Sequence, residues 1–124
     1  MPHSTYTVSP EHLLVARDLA ENYNLPFCTH ACETNTEVNT VKNRYGLNPI
    51  EQLHRLNLVH DHSILAHCVH LSEKDIELLA NQQSLVAHCS LSNLKLGSGI
   101  APLPEMQQAG VCLALGTDGP VGKR

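Results

Sequence analysis

The chain has 124 residues, a size that holds one domain around one modest core. Its formal charge is −4, from 8 basic and 12 acidic residues with no basic run, which argues against a nucleic-acid or anionic-membrane partner. No apolar stretch approaches the ~20 residues of a membrane span, no basic and apolar leader opens the chain, and an odd five cysteines without paired spacing point to reduced thiols and a cytoplasmic location.

Along the chain, helical and strand patterns alternate. Ser9-Pro10-Glu11 reads as an N-cap, a proline at the first helical position and an acidic first turn. Leu13, Leu14, Ala16, Leu19, Ala20 and Tyr23 then recur at helical spacing. Pro26 to His30 is a short apolar run that predicts a strand. Thr34 with Glu37 fits a capping box for a helix ending near Gly46, and Asn48-Pro49 opens another through Leu53 and Leu56. Ser63 to His67 is the next strand, Ser72 with Asp75 caps the next helix, and Ser84 to His88 is a third strand. A Gly- and Ser-containing loop, 93–101, leads to a helix from Pro104 to Gly110 and a fourth strand, Val111 to Leu115. Aromatic content is only 3%, so small aliphatic residues must build the core, which suits parallel strands covered by helices. Strands separated by helices of this length predict βα units in a parallel sheet with right-handed connections.

Three of the apolar runs end in histidine, at His30, His67 and His88, and Asp118 lies just beyond the fourth. Parallel strands present their C-terminal ends on one face, so these four side chains are expected on one rim. Histidine with carboxylate is the ligand set of a borderline divalent metal such as zinc, which makes hydroxide available near neutral pH. Glu33, three residues past His30, would lie above the same rim and could carry protons. Against this stands the plain reading of a strand-final histidine as a hydrogen-bonded structural residue. His12, His54, His60 and His62 read as solvated, Cys28 and Cys112 as small core residues, and Cys68 and Cys89 as neighbours of the rim.

The ordered blocks Pro2-His3-Ser4-Thr5-Tyr6-Thr7-Val8-Ser9, Thr29-His30-Ala31-Cys32-Glu33-Thr34, Ala66-His67-Cys68-Val69-His70-Leu71, His88 with Ser92-Asn93-Leu94-Lys95-Leu96, and Leu115-Gly116-Thr117-Asp118-Gly119 resemble methylthioadenosine/S-adenosylhomocysteine deaminases of the amidohydrolase superfamily. Guanine deaminases and triazine hydrolases share much of the pattern. The resemblance implies a (β/α)₈ barrel and hydrolytic deamination of a purine-type small molecule, with zinc or another divalent metal as cofactor. It implies His30 and Asp118 as metal ligands, Asp118 also taking the proton of the attacking water. It implies Glu33 as the proton donor to the ring nitrogen, His67 as the group orienting the hydroxide or stabilising the developing tetrahedral centre, and His3, Glu33 and His67 as substrate contacts.

The departures are as informative. The family's His-x-His pair from the first strand has no counterpart. His60-Asp61-His62 has the spacing but precedes a strand, so it belongs at the opposite end. Cys32 stands where Ala is usual, and Cys89-Ser90 where Asn-Pro is usual. A whole barrel takes ~250 residues, so the expectation is one partial barrel domain over 1–124, from about strand 4 or 5 to strand 8. Alone it is expected to bind zinc poorly, to lack deaminase activity, and to self-associate or pair with a complementing N-terminal half-barrel through its open edges. A non-catalytic binding module is the competing reading.

Overall fold

The computed structural model describes residues 3–89 and 99–115. Among these residues five helices and four strands follow one another: α1 (Pro10–Asn22), β1 (Phe27–Ala31), α2 (Asn35–Tyr45), α3 (Pro49–Arg55), β2 (Ser63–His67), α4 (Glu73–Gln82), β3 (Leu85–His88), α5 (Leu103–Ala109) and β4 (Cys112–Leu115). The strands form one parallel sheet in the order β1-β2-β3-β4, with His30 level with Ala66 and Ala31 level with His67.

Local chemistry places the helix ends where the sequence predicts them. Ser9 caps α1 through His12 N–H, and Thr34 caps α2 through Glu37 N–H. Ser72 and Asp75 cap each other's backbone at α4, at 3.1 and 3.0 Å. Gly46 ends α2 and Gly110 ends α5 at φ of 77° and 87°, a left-handed geometry that costs a residue without Cβ least.

A sheet wound in one direction with right-handed crossovers carries its helices on one face. The buried strand positions Phe27, Thr29, Ala31, Leu65 and Val86 belong to that face, and the apolar ones cluster with Leu13, Ile50, Leu53, Leu79 and Met106. The alternate positions Cys28, His30, Ile64, Ala66 and Ala87 are half-buried and form the other face.

Three side-chain expectations are corrected. Of the α1 stripe only Leu13 is fully buried, while Leu19 and Tyr23 are 53% and 71% exposed, together with Val15 and Leu25. Alanine at 16 and 20 brings the helix onto the core along a narrower band than its leucines suggest. Cys112 is exposed, because it sits on the edge strand β4, where Leu115 is 86% exposed, and Cys28 is half-buried on the face away from the helices. No helix among the described residues is long and apolar enough to cross a membrane.

Candidate functional site

The end of β1 is fixed by one backbone oxygen. The carbonyl of His3 accepts from Thr29 Oγ1 at 3.0 Å, from the His30 amide at 2.9 Å and from His30 Nδ1 at 2.7 Å. A parallel bridge between Ser4 and His30 holds this segment against the strand. A carbonyl can only accept, so Nδ1 of the His30 ring carries a proton, which leaves Nε2 as the nitrogen through which the ring would bind a metal. This is the form in which a histidine binds a metal, oriented by a backbone carbonyl behind it.

The end of β2 is bent. In a regular strand, His67 would face away from His30, because His30 is level with Ala66. Instead, the Cys68 amide reaches back to the Ala66 carbonyl at 3.2 Å, closing a three-residue turn with His67 at its centre and φ of 77°. This is the rare, strained form of the γ-turn, and Cys68 follows it at φ of 49°. Left-handed conformations at non-glycine residues cost about 1–3 kcal/mol each and persist only where surroundings impose them. The imposing contacts come from β1 and the turn after it: Cys68 N–H to Ala31 O at 2.9 Å, and Val69 and His70 N–H to Cys32 O at 3.0 Å each. The result is a fully buried His67 ring stacked on His30, with centroids 5.2 Å apart and planes at 21°.

Glu33 lies over the same place. One of its carboxylate oxygens is 3.7 Å from His67 Nε2, and its side chain is 18% exposed, so solvent or a ligand can reach it. The His3 ring closes the group on the other side, 4.6 Å from the His30 ring. Four sequence-predicted residues, His3, His30, Glu33 and His67, therefore meet at one rim. His88 ends β3 on the same edge of the sheet, with no ring contact to His67 among the described residues. Asp118 lies outside the described residues.

Sequence reasoning read Glu37 as half of a capping box, and the structure assigns it elsewhere. Thr34 does cap the Glu37 amide at 3.1 Å. The Glu37 carboxyl reaches past the cap to the amides of Cys32 at 2.7 Å and Glu33 at 3.1 Å. It is 1% exposed, and burial raises its pKa against the pull of those two donors. Burial likewise raises Asp75 at the start of α4, and pushes the Cys32 and Cys68 thiols up, so both resist ionisation. The spacing Glu-x-x-x-Glu after the strand was the available signal, but a capping box explains it equally well.

His60 and His62 sit at the opposite end of the sheet, just before β2, with rings 6.4 Å apart. Their spacing does not bring them to the rim. Among the described residues, no group of three His, Cys, Asp or Glu side chains is placed to hold a metal ion. The donor chemistry fits one ligand, His30 through Nε2, and the described part of the site does not complete a set.

The family model for the amidohydrolase family matches residues 1–124. The chain is 46% identical to a 5′-deoxyadenosine deaminase of Methanothrix thermoacetophila over 95% of its own length and 29% of that protein's. It is 42% identical to a 5-methylthioadenosine/S-adenosylhomocysteine deaminase of Desulfitobacterium hafniense over 95% of its own length and 27% of that protein's. Among solved structures it matches a zinc-bound adenosine deaminase from Xanthomonas campestris, with a TM-score of 0.92, 41% identity, and coverage of 98% of this chain and 28% of that one. The chain thus spans less than a third of the length of the proteins it matches. With a family model matched over its whole length and this rim at the strand ends, the chain belongs to the amidohydrolase family.

Proposed function

We propose that these residues form the C-terminal half of a (β/α)₈ barrel that hydrolyses the exocyclic amino group of a purine nucleoside such as 5′-deoxyadenosine, methylthioadenosine, S-adenosylhomocysteine or adenosine. The observation that carries this is the rim cluster: His30, oriented through Nδ1 by a backbone carbonyl, stacked on a buried His67 that faces the partly buried carboxylate of Glu33. The four parallel strands with helices on one face support the barrel half, since active-site groups of such barrels come from the C-terminal strand ends.

His30 and Asp118 would hold a zinc ion or another divalent metal. Bound there, the ion would supply a water of lowered pKa. The chain's own residues do the rest. His67 orients the attacking oxygen and stabilises the tetrahedral centre. Glu33 hands a proton to the ring nitrogen beside the carbon under attack, water adds to that carbon, and ammonia leaves. His3 and Glu33 contact the base. Asp118 takes the proton of the attacking water and passes it to the amino group, which leaves as ammonia, while Glu33 recovers the hydroxyl proton as the carbonyl forms. Free thiols throughout the described residues suit a cytoplasmic setting.

Two protein ligands fall short of the three that a catalytic zinc normally keeps, so the isolated chain is inactive and binds zinc poorly. The missing ligands come from an N-terminal half-barrel, on the same polypeptide or a separate one. The test measures zinc content and ammonia release from 5′-deoxyadenosine, methylthioadenosine and guanine, by the chain alone and combined with the N-terminal half of a related deaminase. Ammonia from a nucleoside only on combination supports the proposal. Faster turnover of guanine moves the substrate to a free base, and a combined preparation that binds zinc without turnover sinks the catalytic reading.

A further inference from the structure

We propose that Glu37 is a positioning residue that sets Glu33 and His67 against each other. The inference rests on the reading that those two side chains act on the substrate. Three observations converge on it. First, the fully buried Glu37 carboxyl accepts the amides of both Cys32 and Glu33, at 2.7 and 3.1 Å. A hydrogen-bonded carboxyl facing two successive amides fixes the peptide plane from which the Glu33 side chain springs. Second, Cys32 is left-handed, with φ of 54°, at a buried position with a side chain that gains nothing from that conformation. Some contact must hold it there, and the Glu37 carboxyl bonds its amide directly.

Third, the same peptide reaches the other side of the site. The Cys32 carbonyl accepts the amides of Val69 and His70, at 3.0 Å each, and so pins the chain immediately after the strained turn at His67. Glu37 therefore grips one residue, Cys32, through its N–H, while that residue's C=O grips the His67 turn. Releasing the carboxyl would loosen both partners of the 3.7 Å contact between Glu33 and His67 at once. Glu37 makes its hydrogen bonds to these backbone amides, and its charge is felt by the Glu33 and His30 side chains as well.

The experiment is a double-mutant cycle in the chain combined with the N-terminal half of a related deaminase, assayed for 5′-deoxyadenosine deamination and for thermal melting on the same samples. Glu37→Gln keeps the volume but puts an amide donor opposite two N–H groups. It is expected to lower kcat by about 10- to 100-fold, the scale of a displacement of about 1 Å, and to add almost nothing to the loss in Glu33→Gln, because it acts through Glu33. Additive losses in kcat that track the fall in Tm would mean a purely structural role and overturn the proposal. A second readout needs no turnover. The NMR spectrum of the unmodified chain is expected to show couplings across hydrogen bonds from the Cys32 and Glu33 amides to the Glu37 carboxyl carbon, with a Glu33 to His67 cross-relaxation peak. Absence of those couplings, or an undiminished Glu33 to His67 peak in Glu37→Gln, overturns positioning. Couplings present in a protein without deaminase activity leave the positioning intact and remove only the assigned reaction.

Discussion

The same sheet carries histidines at both ends and treats them differently. At the C-terminal end, His30 and His67 come from neighbouring strands, and their rings stack 5.2 Å apart at 21°. At the N-terminal end, His60 and His62 lie in one loop, 6.4 Å apart at 49°, with His62 exposed. The first pair is held by backbone bonds that cross from strand to strand, including two left-handed residues in succession. In the second, His60 Nδ1 accepts the His62 amide at 3.1 Å within the loop. Its ties to neighbouring segments run through carbonyls: His62 O accepts the Phe27 amide and His60 O accepts Ser84 Oγ, at 2.9 Å each, with no left-handed residue at either histidine. A His-x-His spacing therefore says less about a site than the strand end on which a histidine falls. What separates the ends is the cost of the conformation: the rim keeps strained backbone that the opposite loop never adopts at its histidines.

The largest expected effect tests that contrast directly. His67→Ala in the combined preparation should lower kcat by about 100-fold or more, whereas His60→Ala and His62→Ala should leave it unchanged; comparable losses at both ends would break the comparison. Next comes stability at the N-terminal end. Ser63 is buried, donates to the Leu58 carbonyl and accepts the His60 amide at 3.2 Å, so Ser63→Ala should cost about 1–3 kcal/mol in urea unfolding, with the rim geometry preserved. At the rim, Thr34→Ala removes the cap of α2 and should cost about 1 kcal/mol, because one helix donor is left open.

A smaller effect depends on pH. Burial raises the folded-state pKa of Glu37 above its unfolded value, so the native state binds the extra proton between the two. The group's contribution is fully present below the unfolded pKa and is lost as pH rises through the folded one. Wild type should therefore gain stability relative to Glu37→Gln as pH falls from neutral into the carboxylate range; a difference that stays flat or moves the other way would show the carboxyl ionised at no cost. The smallest change is expected for His62→Ala, within about 0.5 kcal/mol, as an exposed side chain.

Much of this was legible in the residues. The histidine-terminated runs gave β1, β2 and β3 to within a residue or so, because parallel strands buried under helices must be apolar and a polar residue marks where burial ends. Ser9, Thr34, Ser72, Gly46 and Gly110 marked helix ends because capping is a local transaction between a side chain and its nearest amides. What was hidden is non-local. The turn at His67 is imposed by the carbonyls of Ala31, the last residue of the neighbouring strand, and Cys32 just after it, and nothing in Ala-His-Cys announces a left-handed residue. Glu37 had a plausible local partner at Thr34 and took a more distant one. The exposed apolar side of α1 reflects where the helix lies on this sheet, which periodicity alone does not give.

The three donors gathered on the His3 carbonyl have a consequence for how the rim can be altered. The proton on His30 is placed by a main-chain oxygen, and every amino acid brings that oxygen. Side-chain mutagenesis at position 3 removes a ring but cannot rewrite the tautomer of His30. An amide-to-ester replacement at the bond joining His3 to Ser4, which weakens that one acceptor, edits the imidazole while leaving every side chain in place. The tautomer of His30 is thus inherited from the path of the chain, and sequence drift at position 3 passes it on unchanged.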